Sequence, residues 1–399
     1  MYANYTEKSE SEDEFEQSTQ AYLSDEAKHK IQIKMNEVVV PKGISRILSQ
    51  VGLASNGKLK ASEWCFFFTV YIPLVFFELF VAMGMQSDLL LVNTGALIQC
   101  TEIVEAKAIT EEDSNIFSQA YELYQKTANQ LFQNIKITPN HHYSMHMPGQ
   151  LMNWGPLMGM SEFGGERLIK TLQKIKTNSL NGAMEETIMK KFGQMQRLHK
   201  TTELYDQLLI RENRPSPILT KKELDDEMYL KLFNYLKEKV SQLTNYHHLP
   251  YPPNRPVLRN YITERQHWKW NFGLLVSKAS PNNIIYLKDS LGEFKFGKVC
   301  HILDLECEDI HKGPVVLVQW LTNITMRMEG FEHLDSFLST WKVNHLTLTN
   351  NLAFISISDI LGLGAYCQLP AWSLGCQELS MLTIPINKLV GLESYFGTI

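Results

Sequence analysis

Residues 140–178, NHHYSMHMPGQLMNWGPLMGMSEFGGERLIKTLQKIKTN, concentrate the side chains best able to do chemistry. His142 and His146 are four apart, so on a helix their imidazoles share a face and can present nitrogens to one ion or one buried acceptor. Glu166 follows a Gly-Gly pair, whose backbone freedom can aim a carboxylate into a cleft. Behind it, Arg167, Lys170 and Lys174 recur at spacings of three and four, with Lys176 nearby. Such a stripe can meet a phosphate backbone while the carboxylate holds a divalent cation against the same phosphates. The pattern points to metal-dependent chemistry on a charged polymer. Two plainer explanations compete with it. A glutamate at a helix start and cations toward its end complement the helix dipole. His141, His142 and His146 can equally be structural, since HxxxH supplies half of a tetrahedral zinc site and no cysteine pair lies nearby to complete it.

The elements that must hold these residues form an α+β chain of 399 residues. Its 44% hydrophobic and 20% charged residues describe a globular protein, and the net charge of −5 averages an acidic start with a basic middle. Residues 1–27 read as a mobile acidic tail, with neither the basic nor the apolar region of a secretory signal. Six scattered cysteines without a CxxC pair fit a reducing compartment. After an extended IQIKMNEVVV segment, residues 28–245 read as mainly helical. Within them, Ile116, Ala120, Leu123, Tyr124, Leu131 and Phe132 mark one buried face of a helix over 111–135, and Leu224, Met228, Leu232 and Tyr235 mark another over 221–243. Trp64 to Met85 is long and apolar enough to cross a bilayer, but Pro73 and Glu78 interrupt it and no basic cluster flanks it. A buried helix is the preferred reading and a single membrane span the alternative.

HHLPYPPNRPV, with Pro250, Pro252, Pro253 and Pro256, marks a linker over 246–260. Beyond it, WKWNFGLLVSK, NIIYLKD, FKFGKVCHILDL, PVVLVQWL, AFISISDIL and LTIPIN are short β-branched or aromatic runs between turns. They predict a small antiparallel barrel-like domain over 261–399, with one helix near Gly330 to Trp341.

NHHYSMHMPGQLMNWGP, EFGGERL, LQKIKTN, MEETIMKKFGQMQRL and the earlier SNGKLKASEWCFFFTVYIPLVFFELF together resemble the catalytic region of transposases from CACTA (En/Spm-like) DNA transposons of fungal type, over about residues 40–200. The resemblance implies a DDE-type transposase with an RNase H-like core interrupted by helices, of which residues 28–245 would be the helical insertion and C-terminal end. Three carboxylates there hold two Mg²⁺ or Mn²⁺ ions for in-line attack on phosphodiesters. By position, Glu166 matches the last acid of the triad, Arg167 the arginine that follows it, and His142 and His146 the histidines that precede it. The resemblance also implies DNA as partner, self-association and a nuclear location.

Two departures qualify those expectations. Met160, Ser161, Gly164 and Gly165 stand where the family has bulky residues leading into the glutamate, and Ile169 and Lys170 replace its Asn-Gly. The family's two aspartates lie upstream of the GKLKA segment, and no Asp-x-x-His precedes Gly57. With one carboxylate of three, the expectation is a truncated or degenerate transposase, catalytically inactive and able to bind DNA through Arg167, Lys170, Lys174 and Lys176. Zinc at the histidine pair remains open, as do a repurposed scaffold with a partner-binding β-rich module and a protein anchored by Trp64 to Met85.

Overall fold

The structure, a computed structural model, describes residues 25–42, 44, 47, 59, 61–82, 89–106, 108–132, 138–157, 168–170, 172–177, 183–200, 221–269, 274–289, 292–305, 313–324 and 342–386. Among these residues the fold is α+β, with nine α-helices of six residues or more and a large antiparallel sheet. They divide into two compact units. The first takes the described residues of Met1–Val38 and Ile47–Gly159, and the second those of Val39–Arg46, Met160–Met328 and Lys342–Ile399.

The first unit is helical. Helix α1, Asp25–Glu37, occupies sequence expected to be acidic tail and extended segment. Ala27 and Met35 recur on one buried side, Lys30 pairs with Glu26 one turn away, and Lys34 bonds Glu78 at 3.1 Å. Periodic burial overrides the β-branched look of the run, and extended backbone begins only beyond Glu37. Helix α2, Ala61–Phe66, continues through a π-helical turn, Phe67–Tyr71, into α3, Ile72–Ala82. The wider turn lies immediately before Pro73, where a regular helix would clash with the proline ring and lack a donor. No helix among the described residues is long and apolar enough to cross a membrane.

Helices α4, Leu89–Val104, and α5, Glu111–Leu131, pack together. Thr110 caps α5 reciprocally with Asp113. Buried Asn93 of α4 donates to the Tyr124 carbonyl at 2.9 Å and to Thr127 Oγ1 at 2.8 Å, fixing the two helices in register. The buried face of α5 is Phe117, Ala120, Tyr121 and Ala128, whereas Leu123 and Phe132 of the predicted stripe are exposed. Tyr121 and Ser114 turn inward because they also reach carbonyls of the following helices, α6, Pro139–Ser144, and α7, Met147–Trp154.

The second unit holds α8, Met184–Lys200, α9, Asp226–Lys239, and the sheet. Strands are β1 Lys221–Glu223, β2 Thr244–Asn245, β3 Val257–Leu258, β4 Tyr261–Arg265, β5 His267–Lys269, β6 Leu275–Ser277, β7 Ile284–Lys288, β8 Phe294–Asp304, β9 Val315–Asn323, β10 Asn344–Ser356, β11 Gly362–Leu369 and β12 Ser380–Ile386. Eight of them form one sheet in the order β1-β4-β8-β7-β11-β12-β10-β9, and β8 pairs with β9 as well. The sheet therefore curls back on itself, but β7 and β11 share only two residue pairs, so this seam is open for most of its length. The domain is a large curled sheet and not the small barrel expected.

The helix predicted over 221–243 starts late, because Asp225 caps it by accepting from Met228 N at 2.8 Å. Lys221–Glu223 instead pairs with β4. The prolines of 246–260 do not separate units. Both flanks lie in the second unit, β2 pairs with β3 across the segment, and Tyr229 Oη donates to the Leu258 carbonyl at 2.9 Å. Helix α9 buries Tyr229, Leu232, Phe233 and Leu236 against Leu303, Val315, Leu317 and Phe354 of the sheet. Ile285, Val299, Val316, Val318, Trp320, Ile355 and Leu363 form a separate cluster on the opposite face. The helix expected near Gly330 to Trp341 lies outside the described residues.

Gly297 sits where β7, β8 and β9 meet. A Cβ there would come within 2.1 Å of Val318 Cγ1 and 3.0 Å of Trp320 Cε3, and stiff β-branched Val318 cannot swing aside. Gly297→Ala is expected to destabilise the sheet by about 1–3 kcal/mol. Urea unfolding followed by tryptophan fluorescence measures it, and an unchanged midpoint contradicts the packing argument.

Candidate functional site

Helix α5 positions the histidine segment. Tyr121 Oη donates to the His141 carbonyl at 2.9 Å, Ser114 Oγ donates to the Pro148 carbonyl at 3.0 Å, and Leu151 of α7 is buried beside Phe117 and Tyr121. His141 is committed to helix capping, its Nδ1 lying 3.1 Å from both Thr138 N and Thr138 Oγ1. His142 and His146 remain exposed, and their Nε2 atoms face each other at 3.3 Å. Beside them opens a cleft of about 310 Å³ lined by Tyr124, Gln125, Asn129, His142 and Met145. The structure thus brings together the two histidines that the sequence paired, at a bend between two short helices and not within one continuous helix.

Glu166 and Arg167 lie outside the described residues, as do the glycines before them. Lys170 lies in a short helical stretch that ends by Gln173, Lys174 lies in the following turn and Lys176 outside regular structure, so the long basic helix face expected there is interrupted by a turn. All three lysines are exposed. Lys191 of α8 donates from Nζ to the Lys176 carbonyl, bringing a second basic segment alongside. Lys190, Lys191 and Arg197 of that helix are exposed too. The histidines belong to the first unit and the lysines to the second, and each stands by itself.

Sequence reasoning missed an ionic cluster on the sheet. Glu264 of β4 accepts from His301 Nδ1 of β8 at 2.6 Å and from Lys278 Nζ, and Lys222 Nζ of β1 lies 3.7 Å away. Burial works to raise the Glu264 pKa, but the hydrogen bonds from Lys278 and His301 outweigh it and hold the carboxyl below its ordinary range. Next to it, Arg265 bonds Asp304 at 2.6 Å and stacks over Trp268 at 5.0 Å. Only the pairing of β4 with β8 assembles these groups, so spacing along the chain carries no sign of them. The cluster knits three strands together.

Among the described residues, no three His, Cys, Asp or Glu side chains are grouped to hold a metal. Mg²⁺ and Mn²⁺ take oxygen ligands, which the facing imidazoles do not provide. The described donors therefore do not fit the two-ion chemistry of a DDE enzyme. Neither a family model, a curated protein nor a solved structure matches the chain.

One titration follows from the sheet. His345 is 3% exposed, shares a hydrogen bond through Nε2 with Ser380 Oγ at 2.9 Å, and has no hydrogen-bond partner at Nδ1 among the described residues, and burial lowers its pKa from 6.5 to about 4. A folded pKa below the unfolded one means that stability is complete above the unfolded value and is lost as pH falls from 6.5 toward about 4. The limiting slope is about 1.4 kcal/mol per pH unit. Glu264, whose carboxyl is held below its ordinary range, keeps its contribution above its unfolded value of 4.5 and loses it as pH falls further. Burial raises the Glu105 carboxyl from 4.5 to about 7, so its cost is relieved over the same window with the opposite sign. The change in urea midpoint from about pH 7 to about pH 5 should therefore be less unfavourable in His345→Gln than in the native chain. An equal difference in both assigns the acid sensitivity elsewhere.

Proposed function

We propose that the chain is a remnant of a CACTA-type DNA transposase, nuclear, catalytically silent, and retaining affinity for duplex DNA. The observation that carries the DNA reading is in the second unit, where Lys170, Lys174 and Lys176 are exposed and Lys191 of α8, a helix that also exposes Lys190 and Arg197, donates to the Lys176 carbonyl. Cations from two segments held side by side can neutralise successive phosphates, a sequence-independent interaction driven by counterion release. The ordered motifs of residues 40–200 support the family reading, and the small residues Ser161, Gly164 and Gly165 ahead of Glu166, which give its carboxylate little support, favour catalytic silence.

A scaffold or interaction protein is the second reading. It is favoured by Trp372, 73% exposed with φ of +72°, and by Leu379, 75% exposed, near the connection between β11 and β12. A large apolar side chain held outward on left-handed backbone is costly unless something uses it.

Fluorescence anisotropy with a duplex oligonucleotide across a salt series separates the readings. Binding should weaken steeply with salt, and the combined change Lys170→Ala, Lys174→Ala and Lys176→Ala should reduce the log–log slope by about two to three, at about 0.9 per lost phosphate contact. Failure to retain DNA at low salt removes the DNA reading and leaves the scaffold one. Mg²⁺- or Mn²⁺-dependent nicking that Glu166→Ala abolishes overturns the expectation of silence.

A further inference from the structure

The histidine pair has a close, defined geometry. The two Nε2 atoms stand 3.3 Å apart, with ring centroids at 4.9 Å and planes nearly perpendicular at 84°. Two nitrogens each about 2.0–2.1 Å from a zinc ion at the tetrahedral angle lie about 3.3–3.4 Å apart, so this separation is one edge of a coordination tetrahedron. A direct N–H···N hydrogen bond between the rings accounts for the distance as well, and experiment must separate the two.

Three features favour the ion. Both facing atoms are Nε2, one of the two ring nitrogens through which a neutral imidazole binds metal ions. The backbone that carries them is held in advance: Tyr121 and Ser114 anchor the carbonyls of His141 and Pro148, and Leu151 is buried below. His146 sits at the junction of α6 and α7 with φ of −90° and ψ of −8°, so the pair spans a fixed bend whose geometry need not be ordered on binding. Finally, both imidazoles are exposed and the adjoining cleft brings Gln125, Asn129 and Met145 beside His142, leaving room for water or a weak third donor.

We propose that His142 and His146 chelate one late first-row transition ion, Zn²⁺, Ni²⁺ or Cu²⁺, through their Nε2 atoms, with solvent completing the sphere. Imidazole donors select these ions over Mg²⁺ or Ca²⁺, and the preference for Cu²⁺ over Ni²⁺ follows the usual affinity order. The ion clips α6 to α7 across their junction. The site does not depend on the DNA reading, which rests on lysines of the other unit.

Isothermal titration of the full, reduced chain with each of the three salts tests the site, together with thermal melts followed by circular dichroism. One ion per chain should bind at this site and raise the melting temperature. His142→Ala and His146→Ala should each weaken that binding about tenfold or more, because each leaves a single imidazole without its chelate partner. His141→Ala, whose ring caps α6, should change the affinity far less. All three histidines are on the surface segment, and an unchanged circular dichroism spectrum verifies that each variant folds. Binding that persists unchanged in the double variant assigns the ion to other ligands, such as the cysteines, and overturns the proposal. Absence of saturable binding for all three ions overturns it as well, and leaves the hydrogen bond between the rings as the explanation.

Discussion

The second unit depends on β8 being paired along both edges. Its residues 294–298 bond β7, residues 302–304 bond β4 on that same side, and residues 297–303 bond β9 on the other. A strand of eleven residues serves three partners only if it bends, and the register shift between Val299 and His301 marks where it does. The bend separates the two ends of the strand. Phe296 packs with Ile284 and Tyr286 at one end, and Leu303 packs under α9 at the other. Gly297 allows Val318 and Trp320 to close over the strand at the crossing point. Because β8 also carries His301 and Asp304, the same pairing assembles the Glu264 cluster and the Arg265 ion pair.

In the helical unit α5 has the corresponding position. Its inward face gives apolar contact through Phe117, Ala120 and Tyr121, and its polar groups reach neighbours on both sides: Thr127 and the Tyr124 carbonyl toward Asn93 of α4, Ser114 and Tyr121 toward the histidine segment. Each buried polar atom is thereby satisfied by a carbonyl or side chain on another helix, which fixes both rotation and register. A Tyr121→Phe chain would keep the apolar contact while releasing the His141 carbonyl, so the placement of the histidine bend depends on hydrogen bonding as much as on burial.

The helix over 111–131 and the strands β7, β8, β9 and β12 are legible because their periodicity or β-branched runs are strong. The α1 segment was misread because Ile31, Ile33 and the run Val38 to Val40 resemble a strand locally, while Ala27 and Met35 bury on one helical side. The prolines of 246–260 were read as a boundary, yet a polar, proline-rich segment can still dock if a partner satisfies its backbone, and Tyr229 supplies that partner. The outward face of α5 was mispredicted by counting apolar residues alone, since Ser114 and Thr127 are buried through hydrogen bonds that no hydropathy pattern registers.

The sequence by itself determined the α+β class, the position of the main helices and strands, and the pairing of His142 with His146, because local periodicity and a four-residue spacing act within a few turns of chain. Tertiary structure alone decided the curl of the sheet, the docking of α9, the Glu264–His301 contact and the 3.3 Å approach of the two imidazoles across a bend. These depend on strand register and on hydrogen bonds between residues separated by tens of positions, whose free energy appears only once the chain has closed the loops between them.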